Sequence, residues 1–243
     1  MTESGDATMS GREHEVPVAL KRRLAFGCAA VALLAAIACG LAVSHLARRA
    51  RAADEGVQAG RQHLQSGAHD QAIRVLKRTI GIKPDCVEAY VLMGEAHSRN
   101  GEHDAAIQAF AKAIEHRPGD AEAYVKRGWC HFQKEDFDAA LRDFDRAVAV
   151  DPKHPRVYIA RGDFFLRRDE AERAMADLGA AIRIDTGCAD AYRLRGLLRL
   201  RMKQVDLAKK DLAEAIRLNP DGSIGKRARE CLQELETGAK GKE

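Results

Sequence analysis

A chain of 243 residues, 46% of them hydrophobic, is long enough for one domain or one repeat array and can bury a core. Only 5% are aromatic, which favours closely packed helices over an aromatic-rich sandwich of strands. The 40 basic and 36 acidic residues leave a net charge of +4, too balanced for a dedicated nucleic-acid binder. The cysteines, Cys28, Cys39, Cys86, Cys130, Cys188 and Cys231, contain no Cys-x-x-Cys pair, so neither a disulfide framework nor a paired zinc site is expected.

Residues 1–23 carry Ser, Gly, Thr and Pro17 without a periodic apolar face and read as a disordered tail. Residues 24–43, LAFGCAAVALLAAIACGLAV, have no charge and are bounded by Lys21, Arg22 and Arg23 on one side and Arg48, Arg49 and Arg51 on the other. At about 1.5 Å per residue such a run spans a bilayer of roughly 30 Å, so a single-pass N-terminal transmembrane helix is expected. Cleavage as a signal peptide and lipidation at Cys39 stay open as alternatives. Basic residues near the span number four on each side, which leaves the side of the membrane carrying the remainder of the chain open. Cys28, Ala32, Ala36 and Gly40 form a four-residue-spaced ridge that suits a homodimer of anchors. Residues 44–52 read as a helical juxtamembrane linker.

From Ala53 to Gly222 the chain repeats every 34 residues without insertion or deletion. Tyr90, Tyr124, Tyr158 and Tyr192 keep this step, as do Gly60, Gly94, Gly128, Gly162 and Gly196. Two alanine rows follow, Ala72 to Ala208 and Ala113 to Ala215, and Pro84, Pro118, Pro152 and Pro220 close the second helix of their units. Gly67-Ala68 and Gly101-Glu102 break the chain between the two helices of the first two units. The units are 53–86, 87–120, 121–154, 155–188 and 189–222. The first is degenerate, with Gly56 in place of the aromatic and Thr79 in place of the second alanine. In the segment 223–236, Ile224, Ala228, Cys231, Leu232 and Leu235 make one apolar face and predict a capping helix, before a short flexible tail over 237–243.

These residues resemble the tetratricopeptide repeat family, whose pattern sets an aromatic, a small residue, two alanines and a proline at the spacings seen here. The resemblance implies an all-α, right-handed solenoid of five helix-turn-helix repeats with its C-terminal cap, preceded by the transmembrane helix. It also implies a concave groove, lined by the first helix of each repeat, that receives segments of protein or peptide partners. By position the rows of that groove are Val57, Val91, Val125, Ile159 and Arg193; Arg61, Glu95, Trp129, Asp163 and Leu197; Leu64, Ser98, Phe132, Leu166 and Leu200; and Gln65, Arg99, Gln133, Arg167 and Arg201. They are expected to stand clear of the packing between repeats. The partner-binding candidates are Val91, Glu95, Val125, Lys126, Trp129, Phe132, Ile159, Asp163, Leu166, Arg167, Arg193, Leu197 and Arg201. Trp129 and Phe132 would anchor an apolar or aromatic segment. Arg156, Arg167, Arg193 and Arg201 would meet acidic flanks.

The positions of the family's chaperone-binding carboxylate clamp hold Val57, Arg61, Leu92, Glu122 and Lys126, a set that does not make that clamp. His63, His97 and His131 also follow the step but sit one repeat apart, too far for a shared metal. Gly225-Lys226 lacks the glycine and hydroxyl of a phosphate loop, and neither a second metalloprotease histidine nor a Gly-x-Ser-x-Gly elbow occurs. The expected function is therefore a membrane-tethered, non-enzymatic scaffold without cofactor or metal and without nucleic acid, the alternative being a chaperone-like or assembly subunit for envelope or secreted proteins.

Overall fold

The computed structural model describes residues 18–240, with the side chains of Gly40 and residues 43–235. The chain falls into two units, 1–51 and 52–243. The described residues form eleven helices joined by short turns: α1 (Val18–Gln65), α2 (His69–Ile82), α3 (Val87–Arg99), α4 (His103–His116), α5 (Ala121–Gln133), α6 (Phe137–Val150), α7 (Pro155–Arg167), α8 (Ala171–Ile184), α9 (Ala189–Arg201), α10 (Val205–Leu218) and α11 (Ser223–Lys240).

The expected leader lies outside the described residues as far as residue 17, and α1 begins at Val18. The anchor expected over 24–43 lies outside the described side chains except at Gly40 and Val43. Among the described residues no helix is long and apolar enough to cross a membrane. At the other end α11 continues to Lys240, past the expected end at 236, since no proline interrupts it.

In the second unit the helices pack as pairs. From α3 onward, each first helix lies on the second helix of its own repeat, and each second helix lies on the first helix of the next. Successive first helices α3, α5, α7 and α9 also touch one another, whereas no such contact joins successive second helices among the described residues. Helices that touch along one side while their partners splay apart place the first helices on the inner side of the curve. Small residues make the pairing close: a Cβ added to Gly94 would lie 2.7 Å from the Phe110 ring, and that ring is buried.

The turn inside each repeat is the same in all five. Gly67, Gly101, Glu135, Asp169 and Lys203 have φ between 60° and 77°, in the left-handed region. The next residue's N–H returns to a carbonyl five residues back, as in Asp136 N to His131 O at 3.0 Å, which closes the first helix. Asp136 then caps α6, its carboxylate accepting from Ala139 N at 3.1 Å, so one residue ends one helix and starts the next.

Three later repeats share a buried ion pair that the first two lack. Arg127 binds Asp143 through Nε and Nη2 at 2.8 and 2.6 Å, Arg161 binds Asp177 at 2.8 and 2.9 Å, and Arg195 binds Asp211 at 2.8 and 2.7 Å. All three aspartates are buried. The corresponding positions are Ala59 and Val75 in the first repeat and Met93 and Ala109 in the second.

The two departures of the first repeat compensate each other. Thr79 is 2% exposed, and its hydroxyl donates to Val75 O at 3.0 Å. A Cβ at Gly56 would sit 2.1 Å from that hydroxyl oxygen, so Thr79 fits only because the aromatic has become glycine. Gly56→Ala is expected to destabilise the array by about 2 kcal/mol, and Thr79→Ala in the same chain to recover most of the loss. Denaturant unfolding of the two single variants and the double variant checks this; additive losses would contradict the coupling.

Candidate functional site

The groove candidates occupy the inner faces of α3, α5, α7 and α9, but they do not all stand clear of the core. Leu166 is 4% exposed and belongs to the cluster of Phe144, Phe164 and Leu178, so it supports the groove from beneath and offers a partner no surface. Val57 and Leu64 are likewise buried, against Ala72, Leu76 and Leu92. The reason is the closeness of the helices: a side chain one turn from the contact line still reaches the neighbouring repeat. Val91, Val125, Ile159 and Leu197 are half-buried on the margins of the same clusters.

Trp129 is also half core and half surface. Its ring meets buried Phe144 edge-on at 5.2 Å and Phe132 at 5.5 Å, and Phe132 continues the contact to Phe137 at 5.5 Å and Phe164 at 6.0 Å. Truncating Trp129 would therefore remove packing as well as a surface anchor.

One face of Trp129 borders a cleft of about 530 Å³. Val125, Lys126 and Glu122 of α5 line it together with Arg156 and Val157 of α7. Arg117, Gly119, Asp120, Asp151 and His154 complete the rim from the two inter-repeat turns. These turn residues are absent from the rows read off the sequence, which follow helix positions only. The signal available for them was their place just before each first helix.

Ion pairs cross the inner face. Lys126 reaches Glu95 of the preceding repeat at 3.0 Å and Glu122 of its own helix at 2.8 Å. Hydrogen bonding to Lys126 holds the Glu122 carboxyl below its usual range. Arg193 makes two bonds, 2.6 and 2.8 Å, to one Asp190 oxygen. Arg201 donates to Leu166 O at 2.6 Å, at the C-terminal end of α7, where a cation complements the carbonyl dipoles. Arg167 pairs with Asp163 at 3.2 Å. Of the four arginines expected to meet acidic flanks, only Arg156 makes neither an ion pair nor a carbonyl contact through its guanidinium among the described residues. The acidic-partner expectation thus loses most of its free charge. Two histidines of that row are engaged locally: His97 Nδ1 lies 2.5 Å from Glu102, and His131 lies 3.7 Å from Asp136.

Residues 63–126, 121–154 and 189–221 match family models described as tetratricopeptide repeat. This is a tetratricopeptide-repeat protein. No curated protein matches the chain by sequence. The tetratricopeptide array is similar to the crystal structure of MamA, at 25% identity and a TM-score of 0.55 over 66% of this chain and 94% of that one. It shares its fold with TTC0263, a thermophilic TPR protein of Thermus thermophilus, at 19% identity and a TM-score of 0.64 over 74% of this chain and 99% of that one. It also shares it with YrrB, described as a TPR protein with an unusual peptide-binding site, at 18% identity and a TM-score of 0.51 over 72% and 90%. Tetratricopeptide proteins mediate protein–protein interactions, and their arrays bind protein or peptide partners.

Proposed function

We propose that this chain is a membrane-tethered scaffold that holds a segment of a partner protein in the inner groove of its repeats, centred on α5 and α7. The cleft over Trp129 carries this reading: it is concave, its floor is apolar with Val125, Trp129 and Val157, and polar groups converge on its rim. Segment 24–43, an uncharged run of twenty residues between two basic clusters, supports the tether.

The test is crosslinking capture from intact membranes with the full chain, comparing wild type with Arg156→Glu at the cleft rim. Arg156 is exposed and outside the core, so the variant should melt as the wild type does. Both forms should stay with the membrane after an alkaline wash. The wild type should capture a defined partner that the variant loses by about tenfold or more. An unchanged partner set would move the working surface elsewhere. Release by alkali would remove the tether.

A further inference from the structure

Arg99 and Arg201 occupy equivalent positions, and each donates to a carbonyl of the preceding repeat's first helix, Leu64 O at 3.1 Å and Leu166 O at 2.6 Å. Arg167 stands in the same row between them and makes no such clamp among the described residues. Its guanidinium lies instead over two rings, 5.5 Å from the Trp129 centroid and 6.0 Å from that of Phe132. Those rings meet at an interplanar angle of 75° and form an open corner. A single bond of 3.2 Å from Nε to Asp163 holds the guanidinium there, and the side chain remains 54% exposed.

The Asp163 side chain is only 19% exposed, and burial pushes its carboxyl up against the opposing pull of Arg167 and Arg193. Arg193 is itself committed to Asp190. One loosely held cation is the direct partner of a carboxylate with little access to solvent. Nowhere else along this row does an aromatic neighbour a carboxylate in the next repeat: the series runs Arg61, Glu95, Trp129, Asp163, Leu197.

We propose that Trp129, Phe132 and Asp163 form a receptor for a cationic side chain, a lysine or arginine of the bound partner segment, and that Arg167 fills this receptor in the free protein. Two aromatic faces inclined at 75° and a carboxylate beside them attract a cation from three directions. An internal guanidinium shows what fits and lowers the apparent affinity for an outside one, because it must leave first. The inference rests on the groove reading and narrows it: the segment that lies in the groove presents a basic residue at the α5–α7 step.

Trp129 is the only tryptophan in the chain, so its emission reports on this corner alone. The experiment titrates the full chain in detergent with a capped heptapeptide carrying a central arginine among alanines. The same peptide with citrulline or glutamate in place of arginine serves for comparison. Arg167→Ala should bind the arginine peptide about tenfold more tightly than wild type, and the citrulline and glutamate peptides far more weakly. Adding Asp163→Asn should abolish the gain. Arg167→Gln, which keeps the aliphatic stem over the rings, should behave as Arg167→Ala does and guards against a local collapse. Equal binding of citrulline and arginine peptides, a preference for glutamate, or no gain in either Arg167 variant would overturn the receptor. Partner loss in Arg156→Glu together with partner retention in Asp163→Asn would keep the groove and remove the cation corner.

Discussion

Asp177→Ala should lower the stability of the array by about 3–5 kcal/mol, read as a shift in the denaturant midpoint at unchanged slope. Asp177 is 6% exposed and accepts two bonds from Arg161, which reaches across from α7 to α8. Those bonds raise the Arg161 guanidinium above its usual range against the effect of burial. Without Asp177 the guanidinium keeps only Asp145, a half-exposed carboxylate at 2.7 Å. A cation largely out of water and short of one partner costs more than the pair contributes. The second repeat indicates the remedy, since it fills the same two positions with Met93 and Ala109. The double variant Arg161→Met, Asp177→Ala should therefore recover most of the loss. A double variant as unstable as the single one would show that the pair is favourable in its own right.

Gly128→Leu should destabilise the fold by about 3 kcal/mol or more. The Cβ alone would stand 3.1 Å from the Phe144 ring and 3.3 Å from the backbone oxygen of Ala140. Phe144 is fully buried and held on its far sides by Trp129 and Phe164, and the Ala140 oxygen belongs to the α6 backbone, so neither can yield without parting α5 from α6. Gly179→Ala is the matched control. There the nearest atom is the mobile end of Arg183 at 3.4 Å, so the change should be neutral or gain about 0.5–1 kcal/mol from helix propensity. Thermal melting of both variants decides, and a Gly128→Leu chain as stable as wild type would contradict the close pairing.

Much of this fold is legible because each repeat must solve one packing problem with the same residues. A 34-residue step in Tyr, Gly, Ala and Pro places small residues at the helix crossing and aromatic or aliphatic ones opposite them, as Gly94 against Phe110 shows. The intra-repeat turns were legible only where glycine marks them, at Gly67 and Gly101. Glu135, Asp169 and Lys203 take the same left-handed conformation without glycine, and only Asp169 belongs to a residue type that favours it, so the flanking helices impose it. The Arg–Asp pairs join residues 16 apart, a spacing that no single-helix periodicity reveals, although their own 34-residue recurrence could have found them.

The groove was less legible. Helix position identifies which side chains face inward, but not how far they sink, and so Leu166, expected at the surface, is core. The charge pattern is hidden at one position. Asp163 and Asp190 stand one helical turn before Arg167 and Arg193 in the sequence and pair with them, so only the engagement of Arg201 by the Leu166 carbonyl of the preceding repeat escapes a reading along one helix. The cleft rim, built from Arg117, Asp120, Asp151 and His154, comes from turns that the helical rows leave out.

Amide hydrogen exchange on the captured complex tests the central claim most directly, because it reports which helices the partner covers. Added protection is expected on α5 and α7 and on the turns at 117–120 and 151–154, with α4, α6 and α8 unchanged. Protection confined to those second helices, with α5 and α7 exchanging as in the free chain, would place the partner on the outer face and contradict the groove.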